Sequence, residues 1–128
     1  MRRGSEAYKR YNKIVRISMY YEGGDSMSAY DEVSAHEVNE RLKQGEILHL
    51  IDVREDDEYA AGRVPGAKHI PLSKIPERLH ELDKDKEYIM VCRSGNRSGM
   101  ASEWLNERGY HVKNMVGGML DWTGDIEK

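Results

Sequence analysis

The chain has 128 residues, 38% of them hydrophobic and 34% charged, with a formal net charge of −3. That composition describes one polar globular domain with a modest core, too short to divide into two. It offers no excess of basic charge for nucleic acid, and no apolar run long enough for a membrane span or a signal peptide.

In chain order, residues 1–26 come first as a basic, tyrosine-rich extension. Arg2, Arg3, Lys9, Arg10, Lys13 and Arg16 outnumber Glu6, Glu22 and Asp25 there. Ile14 to Ile17 has strand character but no companion pattern nearby, so the segment is predicted to be disordered. Glu22-Gly23-Gly24-Asp25 can be back-translated into the purine-rich ribosome-binding sequence of bacterial messages, just ahead of Met27. The expectation is that Met27 is the natural start, residues 1–26 are translated leader, and the domain occupies 27–128.

Tyr30 to Val33 reads as a short strand. Ser34 and Glu37 form a capping box, and Ala35, Val38 and Leu42 then recur at helical spacing until Gly45. Ile47 to Val53 is the pattern of a buried central strand. Asp56 to Ala61 predicts a short helix closed by Gly62, Pro65-Gly66 a turn, and Ala67 to Ile70 a short strand. Ile75, Leu79 and Leu82 mark another helix, with Pro76 tolerated in its first turn. Tyr88 to Val91 is an apolar strand, Ser98 to Arg108 a helix capped by Gly109, and Tyr110 to Met115 a last strand before Gly117-Gly118 and a final helical turn. Strands alternating with helices predict an α/β fold, a mostly parallel central sheet with helices on both faces. Sites in such sheets form at the carboxyl ends of the strands, which brings Asp52 and Cys92 to one rim.

Cys92 is the single cysteine, so the chain has no internal disulfide, as suits a reducing cytoplasm. It opens the run Cys92-Arg93-Ser94-Gly95-Asn96-Arg97-Ser98 between a strand and a helix start. Backbone N–H dipoles at a helix start, two arginines and a tightly turning glycine favour a thiolate and cradle an anion. A purely structural thiol needs none of these neighbours.

Three stretches in register resemble the rhodanese-like sulfurtransferases, specifically their small single-domain members. They are Ile51-Asp52-Val53-Arg54-Glu55 through Glu58-Tyr59 to Gly62–Ala67, the loop from Cys92 to Ser98, and Val116-Gly117-Gly118-Met119-Leu120-Asp121-Trp122. The resemblance covers about residues 30 to 124. It implies a rhodanese-like sandwich and a two-step transfer in which the Cys92 thiolate takes the outer sulfur of a donor such as thiosulfate and passes it from a persulfide to cyanide or a thiol. Loop amides would stabilise the terminal sulfur. Arg93, Ser94, Gly95, Asn96, Arg97 and Ser98 are the candidate substrate-binding residues, Arg97 foremost among the cations. Asp52 and Arg54 are expected to fix loop geometry from behind, with Arg54 and Glu58 close enough in sequence to pair. Arg63 departs from the family, which usually has His there.

Two other classes compete. Cysteine phosphatases and arsenate reductases use a similar loop, one residue longer than the interval from Cys92 to Arg97, and the latter need a second cysteine for a resolving disulfide. The other alternative is a rhodanese-like protein-interaction or persulfide-carrier module; the inactive interaction domains of the family commonly lose the cysteine, which is present here. The five histidines are scattered without metal-ligand spacing, so neither metal nor cofactor is expected. The partners expected are a small sulfur-containing anion as donor and a small or protein thiol as acceptor, acting on a monomer.

Overall fold

Five short strands, all parallel, form the centre of a computed structural model that describes residues 31–128. The expectations for residues 1–26, including the leader and the start at Met27, lie outside the described residues. The strands are β1 (Asp31–Ser34), β2 (His49–Asp52), β3 (Lys68–His69), β4 (Glu87–Val91) and β5 (His111–Val116). Their spatial order is β1-β5-β4-β2-β3, so β4 lies at the middle of the sheet. The helices are α1 (Ala35–Lys43), α2 (Asp56–Ala61) and α3 (Asn96–Glu107), with 3-10 segments at Leu72–Lys74, Pro76–Glu81 and Gly118–Asp121.

The side-chain alternation of β4 divides the core. Tyr88 and Met90, with Cys92 beyond them, join Ile51, Ala101, Trp104 and Leu105 in a cluster beneath α3. Ile89 and Val91 face the other way, into a cluster with Val38 of α1, Leu50 and Met115. Both faces of the sheet are therefore covered, as the near-continuous apolar runs of β2 and β4 require. The Ser34 hydroxyl accepts from the Glu37 amide at 3.0 Å to start α1. At the far end of α3 the Gly109 amide donates to the Asn106 carbonyl and the Tyr110 amide to that of Leu105, a complete Schellman stop.

Three of the differences from the sequence reading have a clear physical cause. Ile47 was expected inside the second strand but is 88% exposed, because β2 begins only at His49, opposite Tyr88, where β4 offers a partner. The helix expected around Ile75, Leu79 and Leu82 is a pair of 3-10 segments broken at Arg78 (φ −115°). Pro76 lacks the N–H that a continuous helix would use, and short 3-10 turns take its place. Helix α3 starts at Asn96, two residues earlier than expected, so Asn96 and Arg97 belong to its first turn.

One buried group works against the fold. Glu103 of α3 is 6% exposed and its Oε2 has no hydrogen-bond partner among the described residues. Burial, and secondarily the nearby Glu107, push its carboxyl above the ordinary range. A carboxyl raised in the folded state costs nothing while it is protonated in both states, below about pH 4.5, and destabilises the fold as pH climbs past that point. Glu103→Gln should therefore raise the melting temperature at pH 7 by a few degrees, roughly 1 kcal/mol, and the gain should vanish below about pH 4.5. Thermal melts of both proteins across pH check this; an equal gain at pH 4 and pH 7 would assign it to something other than charge.

Candidate active site

Cys92 follows the last residue of β4 and is fully buried. Its Sγ accepts hydrogen bonds from the Gly95 amide at 3.0 Å and from the Ser98 hydroxyl at 3.2 Å. Gly95 is also the N-cap of α3, in a left-handed conformation (φ 100°) that a side chain would strain. The sulfur thus sits at the positive end of a twelve-residue helix, with two donors aimed at it, an arrangement that holds a sulfur anion.

The loop is held from behind by the segment after β5. The Met119 amide donates to the Cys92 carbonyl at 2.9 Å and the Leu120 amide to the Arg93 carbonyl at 3.0 Å. In a planar trans peptide the N–H points opposite to its carbonyl, so the Arg93 and Ser94 amides face away from this turn. Gly118 makes the approach possible. A Cβ there would meet the backbone carbonyl oxygens of Cys92 and Arg93, the latter at 2.6 Å.

Asn114 completes the frame and was not picked out from the sequence. It is 3% exposed on β5; its side-chain amide donates to the Gly95 carbonyl at 3.1 Å and its Oδ1 accepts from the Ser98 hydroxyl. Ser98 has a single hydroxyl proton, and two acceptors, the sulfur and Asn114, lie within its reach. The hydroxyl can donate to the sulfur when it is anionic and to Asn114 when it is not. One signal pointed to Asn114: it shares a strand face with Val112, where a polar residue needs a partner.

The other candidates fall into two groups. Asp52 and Arg54 form a buried clamp at the end of β2: the Asp52 carboxylate accepts from the Arg54 guanidinium at 2.8–3.1 Å and from its backbone amide at 3.1 Å. Arg54 also donates to the Gly62 carbonyl, tying down the end of α2. Between them, the Val53 amide donates to the Val91 carbonyl, one residue before Cys92. The expected pairing of Arg54 with Glu58 is thereby corrected. Arg54 lies before the start of α2, where helical i,i+4 spacing does not apply, and its guanidinium is occupied by Asp52. Glu58 instead binds Arg97 through two parallel bonds of 2.6 and 2.9 Å. The Arg97 guanidinium, chiefly, pulls the Glu58 carboxyl down to about 2, and Arg97 in turn is pushed up, first by Glu58 and also by the sulfur of Cys92. The pair is therefore ionised throughout the neutral range. Arg93, Ser94 and Asn96 are exposed on the rim. Arg63, where the family usually has His, packs over the Tyr59 ring at 4.5 Å and pairs with Glu127.

A parallel sheet with a buried sulfur at the carboxyl end of its middle strand, held by a short loop turning at Gly95 and by a helix start, defines an α/β domain built around one thiol. The chain belongs to the rhodanese-like family: the Rhodanese-like domain profile matches residues 34–125. It is 47% identical over 96 residues to YtwF of Bacillus subtilis (strain 168), a protein assigned by its name to the sulfurtransferases, covering 75% of this chain and 93% of that one. A protein of Allochromatium vinosum named Sulfurtransferase is 37% identical over 94 residues, 73% of this chain and 88% of its own. Among solved structures, a Rhodanese-like domain protein from Staphylococcus aureus superposes with a TM-score of 0.72 at 34% identity, covering 76% of this chain and 96% of that one.

Two variants probe the frame. Ser98→Ala removes one of the two donors to the sulfur and should slow alkylation of Cys92 by iodoacetamide at pH 7 by about three- to tenfold, without loss of fold; an unchanged rate would show that the hydroxyl serves only Asn114. Gly118→Ala should cost about 2–4 kcal/mol in denaturant unfolding and disturb Cys92 reactivity. Gly117→Ala should be milder: both glycines have positive φ, but the atoms nearest a Cβ at Gly117 belong to the Asp121 side chain, whose carboxylate can rotate away, whereas at Gly118 they are backbone. Equal effects of the two glycine variants would refute the role given to the Gly118 approach.

Proposed function

We propose that this chain is a sulfurtransferase, moving a sulfane sulfur from thiosulfate or a similar donor to cyanide or a cellular thiol through a persulfide on Cys92. The Cys92 thiolate attacks the outer sulfur of the donor, the donor's S–S bond breaks, and the leaving group departs with the electron pair, as sulfite when the donor is thiosulfate. The acceptor then attacks the outer sulfur of the persulfide and the thiolate is regenerated.

The observation that carries this reading is the pair of hydrogen bonds converging on a buried sulfur at the start of α3. Such preorganised donors favour an anionic sulfur, the nucleophile of the first half-reaction, and suit the anionic sulfur of the persulfide. The names of its relatives point the same way. The interval from Cys92 to Arg97, shorter than in cysteine phosphatases, favours one extra sulfur over a tetrahedral phosphate. The loop residues Arg93 to Ser98 are the proposed substrate contacts, with Asp52 and Arg54 supporting them.

Intact mass spectrometry after incubation with thiosulfate should show the gain of one sulfur atom, reversed by cyanide. Cys92→Ser should remain folded and gain nothing, since an alcohol cannot form the persulfide. Steady-state transfer should fall by at least about a thousandfold in that variant. Wild-type turnover in Cys92→Ser, or no adduct on the native chain with any sulfane donor, would overturn the mechanism.

A further inference from the structure

We propose that Glu58 is a specificity-determining residue: it occupies the guanidinium of Arg97 and so sets the site against dianionic donors and in favour of persulfides carried by thiols. The inference rests on the sulfur-transfer reading above and concerns which donor that chemistry uses.

Two arginines lie close to Cys92 in the chain, Arg93 in the loop and Arg97 in the first turn of α3, but their charges are not equally available. Arg97 is part-buried and bound by both carboxylate oxygens of Glu58. That is the fork geometry with which arginine recognises a sulfonate or sulfite group, already satisfied from inside the protein. The same Glu58 Oε1 accepts from the Glu55 amide at 3.0 Å, which fixes the carboxylate on the first turn of α2. Arg54, the other nearby cation, is neutralised by Asp52. Exposed Glu55, Asp56 and Asp57 add negative charge to the same turn. Of the arginines among the described residues, only Arg93, exposed on the rim, makes no ion pair with another described residue.

Thiosulfate brings two negative charges and releases sulfite, which also carries two. Both would meet a rim where the best-placed guanidinium is occupied and the adjoining helix turn is acidic, so binding must displace Glu58 or proceed without Arg97. A thiol persulfide makes no such demand. The Cys92 thiolate attacks its outer sulfur, the S–S bond breaks, and the carrier thiolate leaves with the electron pair and is protonated by water. The charge handled is that of a single sulfur, at the position served by Gly95 and Ser98.

The test compares two probes, thiosulfate and the persulfide of 2-mercaptoethanol, by the rate of Cys92 persulfide formation in the wild type, Glu58→Gln, Arg97→Gln and the double variant. Glutamine keeps the acceptor that caps α2, so Glu58→Gln is expected to fold. It should lower KM for thiosulfate about tenfold, with little change for the neutral-tailed persulfide. The double variant should lose that gain, because the released guanidinium is the agent. A thiosulfate KM within twofold of wild type, an equal change for both donors, or a gain that survives Arg97→Gln would overturn the inference while leaving sulfur transfer intact. No sulfur gain from either donor on the native chain would overturn both. Should Glu58→Gln unfold, Glu58→Asp, which is too short to hold both bonds to Arg97, must show the same donor shift for the proposal to stand.

Discussion

Two backbone hydrogen bonds, from Met119 to the Cys92 carbonyl and from Leu120 to the Arg93 carbonyl, are the constraint on which the site depends. A loop of seven residues at the end of a strand has many conformations, and only some present its amides to the sulfur. Capturing the first two carbonyls from behind removes most of that freedom before any substrate arrives. The captured carbonyls also find partners in a place where unpaired ones would cost about 1–3 kcal/mol each. Gly118 is there because the two backbones must approach more closely than any Cβ allows. The third sequence stretch that marks the family is in this sense the rear wall of the second.

The charged groups around the loop are arranged in closed pairs. Asp52 with Arg54 joins the ends of β2 and α2, and Glu58 with Arg97 joins α2 to α3. Each pair brings one carboxylate and one guanidinium, so both brace the rim without adding net charge to it. The first is buried and joined by several hydrogen bonds, and breaking it by removing one partner would strand a charge in the interior. The second is part-exposed, and its geometry matters more for what it withholds from solution than for the stability it adds.

The sequence made the α/β architecture and the placing of Cys92 between a strand end and a helix start legible because both rest on local signals. A lone thiol between an apolar strand and a helix start needs no knowledge of the rest of the chain, and the helix N-cap at Ser34 and the stop at Gly109 are likewise written within a few residues. What escaped was long-range. The partner of Arg97 lies 39 residues away in the chain, and a local spacing rule pointed instead to Arg54 and Glu58. Asn114 is 16 residues from Ser98 and gains its meaning only when β5 pairs beside β4. Ile47 has the chemistry of a strand residue, yet in the parallel register it falls opposite Lys86, before β4 begins at Glu87. In each case a tertiary partner decided among options that propensity left open.

The strand order has a consequence for how the thiol comes into being. β1 pairs with β5, so the beginning of the described domain waits for its end, and the turn that clamps the Cys92 loop comes later still. A ribosome releases residues in sequence, and Cys92 leaves it well before Met119 and Leu120 do. Until those two amides emerge, the cysteine is an ordinary side chain in an unclamped loop, with neither the helix start nor the Ser98 hydroxyl fixed against it. The frame around the thiol is therefore assembled only after residues 119 and 120 have emerged. A truncated nascent product would carry the thiol without the frame that directs its chemistry.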